Sequence, residues 1–191
     1  MKVDPSDALI VVDMQNDFCP GGALPVQKGD VIVPGINRIH PKFRHKVYSR
    51  DWHPPDHCSF SPTPRFEDKS WPVHCVAGTE GAAFHPDLDV PEDAEIVDKA
   101  QDPNREAYSA LDGTGLAERL RDRGVKRVFV CGLAQDVCVR CTVIDALHGG
   151  FQAVLLTDLT KPVDNPPGAG ERTLGEMREE GAVLMSSEAL E

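Results

Sequence analysis

The sequence predicts an α/β domain built on a doubly wound, mostly parallel sheet with helices on both faces. A length of 191 residues suits one domain with a substantial core. Several short segments are apolar throughout rather than alternating, which is typical of strands covered on both faces. Helical patterns separate most of these segments, as in a parallel sheet. We therefore expect one domain over residues 1–191, with ligands bound at the carboxyl ends of its strands.

Six predicted strands and four predicted helices make up this domain. The strands are the short apolar segments 8–12, 46–49, 94–97, 127–131, 153–156 and 182–185. The helices have apolar residues at helical spacing and span 31–40, 116–123, 139–148 and 171–180. Gly124, Gly149 and Gly181 follow the last three helices, where glycine commonly ends a helix.

Two segments interrupt the alternation of strands and helices. Residues 51–93 are rich in Pro, His and Asp, and a loop of this length inside a compact domain is usually functional or disordered. Its aromatic residues favour packing over disorder; they are Trp52, Phe60, Phe66, Trp71 and Phe84. Residues 161–170 are predicted to form a surface loop.

Composition excludes several classes of function. The 20 basic and 31 acidic residues give a net charge of −11, which argues against binding nucleic acid or anionic lipid. No apolar run approaches the roughly 20 residues that span a bilayer, and residues 1–7 do not resemble a signal peptide. The six cysteines include a CxxC spacing at Cys138 and Cys141, but it lies far beyond the first strand, unlike a thioredoxin motif. We expect a cytoplasmic protein with mostly free thiols.

A metal site is predicted after the second strand. Asp51 and His53 stand two residues apart, so an extended chain would point both side chains the same way. His74 could close the site from the long loop, and His57 is a possible fourth ligand. Mixed Asp and His ligation suits Zn²⁺, Fe²⁺ or Mn²⁺. The alternative is that these histidines cap loops or form hydrogen bonds in the core.

A nucleophile is predicted at Cys138, which follows a buried strand and opens a helix. Helix N-termini favour a thiolate, and their free N–H groups can hold an oxyanion. Asp13 and Lys99 each follow a predicted strand, where a carboxylate could take a thiol proton and an ammonium could hold that carboxylate ionised. The alternatives are a buried apolar cysteine and two solvated residues at strand ends.

Four motifs make the chain resemble the nicotinamidases (pyrazinamidases) of the isochorismatase-like cysteine hydrolases. They are VVDMQNDFCPGGAL, SRDWHPPDHCSF, WPVHCVAGTEGAAFHPDL and GLAQDVCVRCT. The resemblance implies a catalytic triad of Asp13, Lys99 and Cys138. It also implies metal ligands at Asp51, His53 and His74, with His57 a ligand in some members. The N–H groups of Ala134 and Cys138 would form an oxyanion hole, with a cis peptide before Ala134. Phe18, Trp71 and Tyr108 would line a pyridine pocket.

The resemblance also implies an activity. Nicotinamide or pyrazinamide would be hydrolysed through a thioester on the cysteine, with one divalent metal ion, zinc being favoured over iron or manganese. NAD salvage would be the context, and either a monomer or a small homo-oligomer is compatible. The chain departs from the family pattern at Ala100, Gln135 and Val137, which bears on substrate breadth. The rival functions are another amide or ureide hydrolase of the superfamily and a non-catalytic metal or redox protein.

Overall fold

A computed structural model of the chain describes residues 1–66 and 68–191. Six strands form one parallel sheet in the order β3-β2-β1-β4-β5-β6. The strands are β1 (Asp7–Val12), β2 (His45–Asp51), β3 (Glu95–Lys99), β4 (Arg127–Leu133), β5 (Gln152–Lys161) and β6 (Val183–Met185). The predicted doubly wound sheet is confirmed, and its six strands are all parallel.

Four α-helices connect the strands. They are α1 (Val33–Ile39), α2 (Leu116–Asp122), α3 (Arg140–His148) and α4 (Ala169–Glu179). Each overlaps a predicted helix, but 3-10 turns flank α1 on both sides, and a π-helical turn (Gln135–Val139) precedes α3. Across the described ranges, no helix combines the length and the apolarity needed to cross a bilayer.

The core consists of two apolar layers, one on each face of the sheet. Alternate residues of β1 point to opposite faces, so Leu9 and Val11 join one layer, whereas Ala8 and Ile10 join the other. The first layer includes the buried side of α1, and the second includes buried side chains of α2, α3 and α4. This double coverage explains why β1 is buried along its whole length and why its sequence is apolar from Ala8 to Val12.

The strand order places a crevice at the centre of the sheet. The chain starts at β1, moves outward to β3, and returns to β4 on the other side of β1. Connections therefore leave β1 and β4 in opposite directions, and open α/β sheets bind ligands beyond the carboxyl ends of the strands at such a point. Asp13 follows β1 directly, and Cys138 lies five residues beyond the end of β4.

Candidate active site

The predicted site residues come together at the carboxyl edge of the sheet. Asp51 and Lys99 are the last residues of the neighbouring strands β2 and β3, and they face each other in the register of that pair. Asp13 follows β1 with a φ of 46°, and its N–H donates to the carbonyl of Ser49 on β2. Three side chains from different strand ends thus converge because parallel strands end at one edge, and Cys138 joins them from the turn that follows β4.

Lys99 is the centre of this cluster. Its Nζ lies 2.9 Å from Asp13 Oδ2 and 3.5 Å from Cys138 Sγ, and it also donates to Asp51 Oδ1. Carboxylate oxygens of both aspartates lie within 4.8 Å of the Cys138 sulfur. All four side chains are buried, so the ammonium holds two carboxylates and a thiol in a site that excludes water. Asp13 Oδ2 contacts Lys99 without the alignment of a hydrogen bond and has no other partner within the described chain.

Burial and charge set the protonation of the triad. Burial raises the pKa of Asp13 to about 6, although the positive charge of Lys99 opposes the shift. Burial alone would lower the pKa of Lys99, but the two carboxylates outweigh it and raise that pKa. Burial raises the pKa of the Cys138 thiol as well, and Lys99 only partly offsets this. Burial thus favours the thiol form of Cys138, whereas a helix N-terminus favours the thiolate.

The location of Cys138 accounts for the direction of its pKa shift. It occupies the π-helical turn ahead of α3, where its side chain is fully buried beside two carboxylates. The Ala134 carbonyl accepts the N–H groups of Val137 and Val139, which closes this turn. The peptide between Leu133 and Ala134 is cis, as the resemblance implied.

Asp51, His53 and His74 form a compact group of possible metal ligands. One ligand atom from each lies within 4.8 Å of the others, and all three side chains are buried. Asp51 Oδ2 is 3.6 Å from His53 Nε2 and 3.9 Å from His74 Nε2, too far for hydrogen bonds. His53 Nε2 has no hydrogen-bond partner among the described residues. Burial lowers the pKa of His74, which favours the neutral imidazole that a metal requires.

His57 lies beside this group with both ring nitrogens already engaged. Its Nδ1 is 2.8 Å from Ser59 Oγ, and its Nε2 is 3.2 Å from the Arg105 carbonyl oxygen. The centroid of its ring lies 4.3 Å from that of His53, with the two rings tilted by 41°. A second group of possible ligands joins these two histidines to Glu106. A role for His57 as a ligand stays a prediction.

One cavity joins the two groups. Its wall includes Phe18, Trp71 and Tyr108, which the resemblance assigned to the pyridine pocket, together with Ala134 and Cys138. The Trp71 indole Nε1 donates to the Tyr108 hydroxyl over 2.9 Å, which links the long loop to the segment after β3. Asp51, His53 and His74, which we call the cation group, line the same cavity. A ring in this pocket would therefore contact both the cation group and the Cys138 thiol.

The three departures from the family pattern have distinct structural settings. Ala100 adopts a φ of 55°, so the backbone after Lys99 has a left-handed conformation. This conformation is strained for an alanine and would not be for a glycine. The Gln135 side chain turns away from the cavity and donates to the Gly170 carbonyl over 2.7 Å, near the start of α4. Val137 alone among the three lines the cavity.

Two buried polar residues support the site and were missed by sequence reasoning. Gln15 Oε1 accepts the Asp51 N–H, and its Nε2 donates to the Asp51 and Ala82 carbonyls. Ser49 Oγ donates to Asp13 Oδ1 over 2.7 Å. Gln15 lies two residues after Asp13, and Ser49 lies in a strand two residues before Asp51, so proximity to the predicted aspartates was the available signal.

A family model described as the isochorismatase domain matches residues 7–189. The chain belongs to the isochorismatase family. Within this family it is similar to the nicotinamidase of Acinetobacter baylyi, at 38% identity over 98% of this chain and 95% of that protein. The nicotinamidase/pyrazinamidase of Mycobacterium tuberculosis is 43% identical over 82% of this chain and 87% of that protein. The resemblance stated from the four motifs is therefore confirmed.

Solved structures of the isochorismatase family agree with this placement. The pyrazinamidase of Pyrococcus horikoshii, solved in complex with zinc, is 49% identical with a TM-score of 0.87, over 95% of this chain and 99% of that chain. PnC1 from L. infantum, solved in complex with nicotinate, is 40% identical with a TM-score of 0.91, over 100% of this chain and 98% of that chain. The match extends over the whole fold, including all the elements that carry the site.

Proposed function

We propose that this protein is a nicotinamidase, which hydrolyses nicotinamide to nicotinate and ammonia. The observation that carries the proposal is the convergence of Cys138, Lys99 and Asp13 in one buried cluster. The Cys138 end of this cluster lines a cavity that Asp51, His53 and His74 also line. A thiol, a carboxylate and an ammonium at these distances suit acyl transfer from an amide. The similarity to nicotinamidases over nearly the full chain supports the same substrate.

Asp13 is the base that activates the nucleophile. With a pKa of about 6 it is ionised near neutral pH and still basic enough to take the Cys138 proton. Its Oδ2 contacts only the Lys99 ammonium among the described residues, and a carboxylate oxygen has a second lone pair that can take this proton. Lys99 lies 3.5 Å from Sγ and stabilises the thiolate as it forms.

The Cys138 thiolate then attacks the carboxamide carbon. The backbone N–H groups of Ala134 and Cys138 stabilise the tetrahedral oxyanion. Asp13 returns its proton to the departing nitrogen, and ammonia leaves a thioester on Cys138. Asp13, again ionised, assists the water that hydrolyses the thioester and releases nicotinate. Aromatic walls at Phe18 and Trp71 hold the ring during both steps.

The residues around Asp51 fit a divalent cation. A buried carboxylate and two buried imidazoles converge without hydrogen bonds to one another, and this donor set suits zinc, iron or manganese. Asp51, His53 and His74 would hold the ion, with zinc favoured because the Pyrococcus horikoshii structure contains it. When bound, the ion supplies a Lewis-acidic position for the pyridine nitrogen. His57 would be an additional ligand only if Ser59 or the Arg105 carbonyl released it.

Two other functions remain as competitors. A ureide or other amide hydrolase of the family would share the triad but would have no use for a cation beside the ring pocket. A non-catalytic metal or redox protein would not need Lys99, and chelation would unfold it rather than inactivate it. All six cysteines are free, which suits the reducing cytoplasm. The nicotinamide substrate, not the thiols, suggests a role in NAD salvage.

The decisive experiment measures ammonia release from nicotinamide, pyrazinamide and a ureide, with metal content determined on the same sample. We expect Cys138→Ala to lower turnover at least about a thousand-fold while nicotinamide still binds. The matched control is Cys141→Ala, one turn further along the same helical segment, which should retain activity. Near-normal ammonia release by Cys138→Ala would reject the nucleophile. Preference for the ureide would support the first competitor, and unfolding on chelation would support the second.

A further inference from the structure

The imidazole of His53 lacks hydrogen-bond partners in this structure. The side chain is 1% exposed, and neither ring nitrogen has a hydrogen-bond partner among the described residues. A bound cation would account for the unpartnered Nε2, which faces Asp51 Oδ2 in the cluster with His74. The cation group gives no partner for Nδ1. A buried imidazole nitrogen without a partner costs free energy, so an acceptor for it is expected nearby.

The neighbouring histidines have the hydrogen-bond acceptor that His53 lacks. A histidine that binds a metal through one nitrogen normally donates the N–H of the other to a carboxylate or a carbonyl, which fixes the tautomer and the ring orientation. His74 has such a partner, because its Nδ1 lies 2.7 Å from the Pro72 carbonyl oxygen. His57 is held on both sides by Ser59 and the Arg105 carbonyl. His53 alone among these three rings lacks an outer partner.

Glu106 is the acidic side chain placed to supply it. A carboxylate oxygen of Glu106 lies within 4.8 Å of a ring nitrogen of His53 and of one of His57. The residue is half-buried in the segment between β3 and α2, and it lines the same cavity as His53. Its Oε1 accepts only the N–H of the adjacent Ala107, over 3.0 Å. Glu106 makes no hydrogen bond to His53 in this structure, so the proposed contact requires another side-chain rotamer of Glu106.

We propose that Glu106 is a positioning residue that accepts the Nδ1–H of His53 and thereby orients Nε2 toward the cation. The proposal rests on the cation site of the proposed function. Glu106 need not touch the ion or the reacting atoms. Its carboxylate stabilises the tautomer that leaves Nε2 free to bind and makes that nitrogen a stronger donor to the ion.

Zinc affinity of the apo protein tests this role directly. Outer partners of metal-bound histidines typically contribute about 10–100-fold to metal affinity, so we expect Glu106→Ala to weaken Zn²⁺ binding by that factor in competition with a chromophoric chelator. Glu106→Gln keeps an acceptor oxygen without the charge, and its affinity should fall between those of Glu106→Ala and the unaltered chain. The control is Glu92→Ala, an exposed acid that precedes β3 at the opposite edge of the sheet.

Two further measurements separate positioning from other roles. The chelated protein should stay folded in all three variants, with a lower Tm in Glu106→Ala than in Glu92→Ala because the Nδ1–H loses its acceptor. The visible spectrum of the Co²⁺-loaded protein should keep its band positions in Glu106→Ala, because the ligands themselves are unchanged. A shifted spectrum would mean that Glu106 binds the ion directly, and two ions per chain would mean that His53, His57 and Glu106 form a second site; either result overturns the proposal.

The remaining outcomes distinguish this proposal from the proposed function. If the unaltered chain binds Zn²⁺ and Glu106→Ala binds it equally well, only the role of Glu106 is rejected. If the unaltered chain binds no Zn²⁺, the cation site itself is rejected, whatever Glu106 does. Graded loss of Zn²⁺ affinity with a constant Co²⁺ spectrum, in variants that all stay folded after chelation, supports the proposal.

Discussion

Replacing Lys99 by methionine should destabilise the fold as well as abolish activity. The ammonium is the buried positive charge between Asp13 and Asp51, and methionine matches its length without its charge. At 2.9 Å and an effective dielectric constant of about 20, the attraction to Asp13 alone is about 6 kcal/mol. Measured losses on removing one partner of a buried pair are about 3–5 kcal/mol, because the remaining charge relaxes and recruits water. We expect a loss in that range, or roughly 6–20 °C in Tm for a chain of this size.

The loss should depend on pH in a defined direction. Without Lys99, burial holds the folded-state pKa of Asp13 above its unfolded value, and above the value of about 6 that it has beside the ammonium. A carboxyl with a raised folded pKa destabilises the fold at high pH, and the penalty fades as pH falls through that pKa. The deficit of Lys99→Met should therefore be largest at pH 8 and clearly smaller at pH 5.

Urea denaturation followed by circular dichroism, with a chelator present, measures this deficit. Lys126→Met is the matched control, since Lys126 is exposed next to β4. Adding Asp13→Asn to Lys99→Met removes one of the two unpaired carboxylates and should recover part of the loss. If Lys99→Met is as stable at pH 8 as Lys126→Met, then the buried charges do not depend on the ammonium and the reasoning is wrong.

Three more outcomes are expected from single substitutions or from pH. In a pH–rate profile, kcat/KM should rise with pH through about 6 as Asp13 ionises. Ser49→Ala should shift this rise to higher pH, because the Ser49 hydroxyl stabilises the Asp13 carboxylate and its loss raises the pKa of Asp13. Gln15→Met should lower the Tm by the equivalent of about 1–3 kcal/mol and reduce bound zinc, since buried backbone groups lose their partners. Gly132→Ala should prevent accumulation of folded protein in expression trials, because its Cβ would lie 2.1 Å from the Val12 carbonyl oxygen.

The strands and helices were predictable because they depend on local pattern. Continuous apolar segments identified all six strands, and helical spacing ended by glycine identified three helices closely. Their bounds were less predictable: β5 extends to Lys161, well past the apolar residues 153–156, because the bulge in its pairing with β4 lets it continue beside Leu133. Pairing of this kind depends on a distant strand, which no local pattern reports.

Motif and residue type alone determined the fold class, the family resemblance and the candidate residues of the triad and the cation group, because those chemistries require particular side chains next to strand ends. Tertiary structure decided the contacts and the protonation equilibria of these residues, which the sequence does not show. It placed Lys99 between two carboxylates and raised the pKa of the buried Cys138 thiol. It also gave His57 hydrogen-bond partners and brought Gln15, Ser49 and Glu106 to the site. Burial and distance set these properties, and both arise only when residues far apart in the sequence pack together.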